Sequence, residues 1–416
     1  MQSLAIVSGT CITPYHRIDD SLVVARDGVI EYVGPRADGD VPPGAEVIDA
    51  TGQYVCPGFI DMQVNGGKGA SVVDGDAEAL DTLTAYHMQH GTTAMAPTLV
   101  SSSLEKMLSV LKLIQSFQNR SAPRAAKVIG AHLEGPYLGT ECRGAHSLER
   151  IREAEEAEWR RLLERHEDAI SLVTAAPEVP GVLPFARALG RAGIPVSMGH
   201  SDATYDEVVQ GVEAGFSLVT HLYADTSTIT RTGDLTRTLG IIEAAWLFDS
   251  LTVTVIADDV HLPAILVKMI AEQKGADRTV LISDAMRAAG MPDGEYLLGD
   301  RADENTIRVE NGRAQTLGGT SLAGSTVAMD TCLHTAAVKA GLPLQDAVMM
   351  ATLTPARMLG VDHALGSLSP GKQADIVVTD PDFTVQHTII DGRVTYRHRA
   401  EDAAGASAKP APAAPE

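Results

Sequence analysis

Cysteine is scarce and scattered. Cys11, Cys56, Cys142 and Cys332 form no CxxC pair and no dense framework, which excludes a disulfide-stapled scaffold and points to thiols in a reducing compartment. Long apolar runs are missing too, and no window approaches the roughly 20 residues that a membrane helix requires. The N-terminal stretch MQSLAIVSGTCITPYHRIDD has no basic leader and reads as a strand, so no secretory signal is expected. Basic residues are outnumbered: Lys plus Arg total 33 against 54 Asp plus Glu, a net charge of −21. That balance argues against a nucleic-acid partner, which would need a basic face to displace counterions. A soluble, cytoplasmic protein with no membrane association is the expectation.

What is present is ordinary for a globular chain: 416 residues, 44% hydrophobic and 21% charged. The start is β-rich. SLAIVSG, SLVVARDGVIEYVG and AEVIDATGQYVCPG alternate apolar and polar residues, with a hairpin turn at Asp27-Gly28. From Pro57 short apolar strands alternate with longer amphipathic segments, as in TTAMAPTLV followed by SLEKMLSVLKLIQSFQ. Repetition of that unit indicates an α/β fold, a (β/α)₈ TIM-like barrel in preference to an open doubly wound sheet. After Ala356 the β texture returns, with turns at Pro370-Gly371 and Asp391-Gly392. Both termini are therefore expected to build one small β-sandwich domain beside the barrel. The expected division is 1–56 and 356–398 for the sandwich, 57–355 for the barrel, and 399–416 for an Ala/Pro-rich disordered tail.

Chemically capable residues recur at the ends of the apparent strands. Glu134 ends VIGAHLE, His200 ends IPVSMGH, His221 ends FSLVTH, Asp258 ends TVTVIAD and Asp284 ends VLISD. In a barrel those ends form the active-site face. A carboxylate and two imidazoles converging there make a three-ligand metal site with room for water, the composition of a catalytic zinc centre. Asp284 can take a proton from that water, or cap the helix that follows it. His146, in RGAHS, is either a substrate contact or a plain loop histidine. The Gly-rich LGGTSLAGST (317–326) lacks the order of a nucleotide-binding P-loop.

In the order GFIDMQVNGG, HLEGPYL, GHSDAT, THLY, IADDVH, SDA, SLAGST, ATLTPARMLG and LGSLSPGKQADIVV, the chain resembles the N-acetylglucosamine-6-phosphate deacetylases of the amidohydrolase superfamily. The resemblance runs from about Leu4 to Val394. It implies a homodimer of barrel-plus-sandwich subunits and hydrolysis of the N-acetyl amide of an amino sugar. It implies one divalent metal per subunit, zinc or else iron or cobalt, on Glu134, His200 and His221, with Asp284 as general base and acid. Ala145, His146 and His261 would contact substrate, and the backbone of Leu322, Ala323 and Gly324 would close over the acetamido group. Gln63 and Asn65 stand where many superfamily members carry a His-x-His pair, so a second metal is not expected and Gln63 joins the substrate side.

The sequence departs from that family in places. Ala224-Asp225 replaces Asn-Ala in the stretch expected to meet the sugar phosphate. Arg231, with Arg237 behind it, is the nearest candidate for the phosphate-binding arginine. Asp259 stands where glycine is usual, and a carboxylate beside a phosphate would cost affinity unless paired. These changes leave open N-acetylgalactosamine 6-phosphate or an unphosphorylated sugar as substrate. Further rivals are another amidohydrolase-type amide hydrolase and a non-catalytic scaffold.

Overall fold

The computed structural model describes residues 2–120, 125–231, 235–299, 305–319 and 321–399. The expected tail thus lies outside the described residues apart from Arg399. No helix among the described residues is long and apolar enough to cross a membrane.

Eight parallel strands form the barrel: Phe59–Val64, Thr92–Val100, Ala131–Glu134, Ile170–Ala175, Val196–Met198, Phe216–Val219, Thr252–Ile256 and Thr279–Ile282. Each pairs with the next in sequence order. They are buried almost end to end, because helices cover them outside and side chains fill the interior. Met62, Leu172, Leu218, Ile256, Val280 and Ile282 make one interior cluster, with Met358 and Leu359 packed against it. The ring closes just beyond the last strand. There Asp284 N–H donates to the Gln63 carbonyl at 2.9 Å and Asn65 N–H to the Ala285 carbonyl at 2.8 Å.

Between strands the helices start where polar side chains satisfy their free amides. Asp76 caps Ala77–Gln89 by accepting from Ala79 N–H, Ser103 caps Leu104–Gln118 by accepting from Lys106 N–H, and Thr204 with Glu207 forms a capping box for Tyr205–Ala214. The charged run around residue 156 is the expected helix, Glu156–His166, burying only Trp159 and Leu162.

The two termini meet in one mixed eight-stranded sheet. Ile376–Thr379 lies antiparallel to Tyr54–Pro57, which joins the C-terminal strands to the N-terminal ones. Leu4, Ile6, Val23, Ile30, Ile48, Val55, Ile376, Val378 and Ile389 share a core separate from the barrel's. Its hairpins turn as the sequence indicated. Asp27 and Gly28 both have positive φ, as do Asp391 and Gly392, the backbone that fits the twist of a two-residue hairpin.

A third element had no counterpart in the sequence reading. After the eighth barrel strand comes an antiparallel sheet of Gly294–Leu297, Thr306–Glu310 and Arg313–Thr316. Met286, Ile307, Val309, Ala314 and Ala323 pack beneath it, and its edges lean over the barrel mouth.

Lys127 ties barrel to terminal sheet. Its ammonium lies 2.8 Å from Asp375 Oδ1, 2.7 Å from Asp391 Oδ1 and 2.6 Å from Gln373 Oε1, with the Asp375 side chain 3% exposed. Burial pushes the Asp375 carboxyl up from its usual range, and the Lys127 charge opposes that. Lys127→Met leaves this carboxylate buried without its cation and is expected to cost about 2–4 kcal/mol in urea unfolding. A loss below about 1 kcal/mol would show that the tie contributes little.

Candidate metal centre and cleft

Glu134 is the last residue of the third strand, while His200, His221 and Asp284 each stand two residues past the fifth, sixth and eighth. Those three have left-handed backbones, with φ of 49°, 32° and 47°, a conformation costing about 1–3 kcal/mol for a non-glycine residue. The surroundings hold it. His200 C=O accepts from Gly139 N–H at 2.8 Å, His221 N–H donates to Thr254 Oγ1 at 2.7 Å, and Asp284 N–H is fixed on the barrel seam.

The imidazoles and the carboxylate converge. His221 Nε2 lies 3.2 Å and His200 Nε2 3.4 Å from Glu134 Oε1, and the two Nε2 atoms are 3.1 Å apart. The opposite nitrogens decide what this means. His200 Nδ1 faces the Cys142 carbonyl at 3.0 Å and His221 Nδ1 faces the Ala224 carbonyl at 3.1 Å. A carbonyl only accepts, so each Nδ1 carries the hydrogen and each neutral ring turns an Nε2 lone pair inward. Two lone pairs and a carboxylate oxygen at such range repel one another unless a cation sits among them. A proton meets the need in part: burial opposes a charged ring, yet Glu134 outweighs it and holds His221 up at about 9. A divalent ion meets it fully, and the donor set, with backbone carbonyls behind both rings, fits one.

Beside the trio, amides occupy the ground where a second cation would need ligands. Gln63 Nε2 donates to Glu134 Oε1 at 2.7 Å and reaches Asp284 Oδ1 at 3.3 Å, and Asn65 Nδ2 donates to Asp284 Oδ1 at 2.7 Å. Burial first, then the Glu134 charge, raise Asp284 to about 6. Under this layer lies Asp61, fully buried, which accepts from the Ser283 hydroxyl and from the backbone N–H of Ser283 and Gln63. Deeper still, His132 bridges Thr98 Oγ1 at 3.2 Å and Thr174 Oγ1 at 2.8 Å, and hydroxyls continue through Thr220 to Ser197. Neither Asp61 nor His132 was singled out from sequence, since each sits inside an apolar strand. Their only signal was a polar residue on an inward position.

A cavity of about 260 Å³ opens over the trio. Ala145, His146, His261, Ala224, Asp225, Leu322, Ala323 and Gly324 line it, as does Asp284. Asn65, read from sequence only as a lost metal position, lines it too, as do Tyr223, Leu298 and Asn305, which sequence reasoning missed; the last two flank paired strands of the unforeseen sheet. Gln63 lies beneath, 1% exposed. Arg231 is elsewhere, exposed on a two-residue ribbon paired with Arg237–Thr238, and does not line the cavity. Asp259 turns away as well. Its φ of 62° explains why glycine suits the position, and its carboxylate caps Ala264 N–H at 3.1 Å and pairs with Lys339 at 2.9 Å. Asp225 remains in the cleft, with Oδ2 3.9 Å from His200 Nδ1 and its side chain 35% exposed.

His146 is set as a donor. Ser101 N–H donates to its Nδ1, so the hydrogen of the neutral ring is on Nε2, 4.0 Å from Glu134 Oε2. Burial, then the neighbouring His200, depress its pKa to about 3, which keeps the ring neutral.

Fold and cleft define a barrel hydrolase with its chemistry at the C-terminal strand ends. The chain belongs to the amidohydrolase family, whose profile matches residues 54–395, and within it to the N-acetylglucosamine-6-phosphate deacetylase group that its motifs resemble. An N-acetylgalactosamine-6-phosphate deacetylase of Escherichia coli O157:H7 is 35% identical over 91% of this chain and 95% of its own. An N-acetylglucosamine-6-phosphate deacetylase of Vibrio furnissii is 33% identical over 91% of each. Among solved structures, the N-acetylglucosamine-6-phosphate deacetylase of Pasteurella multocida superposes with a TM-score of 0.87 at 30% identity, covering 94% of this chain and 99% of that one. A Mycobacterium smegmatis N-acetyl-D-glucosamine-6-phosphate deacetylase, solved as a mutant with N-acetyl-D-glucosamine-6-phosphate, gives 0.85 at 30% identity over 95% and 100%.

The Asn65 bond to Asp284 generates a pH-dependent prediction. Asn65 donates to the ionised carboxyl, so its loss raises the Asp284 pKa beyond about 6. A carboxyl raised above its unfolded value of about 3.9 takes stability away as pH climbs through that interval. Asn65→Ala is therefore expected to cost about 1–3 kcal/mol in urea unfolding of chelator-treated protein at pH 8, and less at pH 5. An equal loss at both pH values would contradict the assignment.

Proposed function

We propose that this enzyme hydrolyses the N-acetyl amide of an amino sugar, N-acetylglucosamine 6-phosphate before others, releasing acetate and the free amine. The observation that carries the reading is the inward-facing Nε2 pair of His200 and His221 against Glu134, with Asp284 beside it in the cleft. Glu134, His200 and His221 would hold one divalent ion, zinc by the Glu/His/His set, although iron and cobalt accept the same ligands. Bound there, the ion supplies Lewis-acid activation of water and of the amide carbonyl.

The protein's own groups do the rest. Among the described residues, the side chains that bond Asp284, Gln63 and Asn65, both meet Oδ1, which leaves Oδ2 for the substrate. Asp284 takes a proton from water as its oxygen adds to the amide carbon, and His146 Nε2–H stabilises the oxyanion. Asp284 then passes the proton to the amine nitrogen, the C–N bond breaks and acetate departs. The backbone at Leu322 to Gly324 is placed to close over the acetamido group, and Ala145, Ala224 and Asp225 to meet the sugar.

Gln63 supports from below. A phosphate contact by Arg231 would need its ribbon to move toward the cleft, which it does not line. A second reading, an unphosphorylated amino sugar, is favoured by the Asp225 carboxylate and by the absence of Lys and Arg among the described residues lining the cleft. Four free thiols fit a reducing cytoplasm. Domain limits near 56 and 355, and a homodimer, complete the proposal.

Acetate release from N-acetylglucosamine, N-acetylgalactosamine, N-acetylmannosamine and their 6-phosphates tests the substrate. The 6-phosphate of N-acetylglucosamine is expected to lead, and faster turnover of the free sugars would move the assignment to the second reading. Asp284→Asn is expected to lower kcat about 10²- to 10⁴-fold while metal content by mass spectrometry stays unchanged. Near-full activity in that variant would remove Asp284 from the mechanism.

A further inference from the structure

Of the five strand-end residues, Asp258 has no part in the chemistry above. It stands two residues past the seventh strand, and its side chain is 5% exposed. Among the described residues its hydrogen-bond partners are two backbone N–H groups and one ring nitrogen. Asp258 Oδ1 accepts from the backbone N–H of Val260 at 2.9 Å and of His261 at 2.8 Å, and Oδ2 lies 2.7 Å from His261 Nδ1. The two backbone bonds fold the 258–261 loop into a tight turn about the carboxylate. That turn delivers the His261 ring, 8% exposed, to the wall of the cleft.

The arrangement settles which nitrogen of the neutral ring carries the hydrogen. A carboxylate accepting backbone amides on one oxygen meets Nδ1 with the other, so the hydrogen lies on Nδ1. In that ring Nε2 is the acceptor nitrogen of a side chain that lines the cleft. His146, across the same cavity, has the opposite assignment, since Ser101 N–H occupies its Nδ1 and leaves Nε2–H as a donor. One wall of the cleft thus offers a hydrogen and the other asks for one.

We propose that Asp258 is a positioning residue that fixes His261 as the Nδ1–H tautomer, so that Nε2 accepts a hydrogen from a hydroxyl or amide N–H of the amino sugar. The donor-and-acceptor pair of histidines then orients the substrate about its acetamido group. A sugar presenting no hydrogen at that place leaves a buried lone pair unmet, which is how such a site discriminates. The substrate clause rests on the deacetylase reading, but the tautomer is a property of the resting protein and stands or falls without it.

Two measurements test the proposal. In ¹⁵N-histidine NMR of the metal-loaded enzyme without substrate, the resonances assigned to His261 by their loss in His261→Asn are expected to show a protonated Nδ1 and a bare Nε2. A ring protonated on Nε2, alone or together with Nδ1, would overturn the proposal whatever the substrate proves to be. The second is a double-mutant cycle on kcat/KM for acetate release. Asp258→Asn is expected to lower kcat/KM roughly 10- to 100-fold in the wild-type background and less than about twofold in His261→Asn. An equal loss in both backgrounds, or none in the first, would show that Asp258 does not act through His261. If no N-acetyl sugar is turned over, the deacetylase reading fails while the NMR result still decides the dyad.

Discussion

The site is organised around a repulsion. Two imidazole nitrogens whose hydrogens are committed elsewhere, and one carboxylate oxygen, are held within 3.1–3.4 Å of each other. Gln63 Nε2 relieves the oxygen in part by donating to it at 2.7 Å, and, against burial, Glu134 raises His221 to about 9. The groups around it follow from the need. Backbone carbonyls fix both tautomers from behind, left-handed turns aim the rings, and the side-chain amides of Gln63 and Asn65 donate to Glu134 Oε1 and Asp284 Oδ1.

Barrel geometry makes such a contact affordable. Strand ends from five positions around the ring meet over one mouth, and the seam between first and last strands lies directly under Asp284. The backbone bond that closes the barrel, Asp284 N–H to Gln63 C=O at 2.9 Å, also sets the register between the amide layer and the Asp284 carboxylate. Asp61 below the seam holds both chain segments at once. Stability of the ring and placement of the chemistry are therefore one constraint seen from two sides.

Much of this was legible in the sequence, for physical reasons. Parallel strands buried on both faces read as short apolar runs, and a polar residue ending such a run has few places to go but the mouth. That is why Glu134, His200, His221, Asp258 and Asp284 could be picked out one strand at a time. Partnership was harder to see. Whether Asp259 would face the cleft depended on a left-handed backbone and on Lys339, eighty residues away, and Gln63 could be taken for a substrate group until its bonds to Glu134 and Asp284 were known. The three-stranded sheet over the cleft escaped notice because its strands are only four or five residues long and the two outer ones alternate weakly. Arg231 was named for its charge and its place after THLY, and neither says which way a surface ribbon runs.

Among the described residues this chain gathers one set of cation ligands, Glu134, His200 and His221, with the amides of Gln63 and Asn65 beside it. An anomalous-diffraction map at the metal edge, from crystals of the protein purified without chelator, tests this most directly. The account predicts a single peak within bonding distance of Glu134, His200 and His221, and none beside Gln63 and Asn65. An empty centre, or a second peak against those amides, would contradict it.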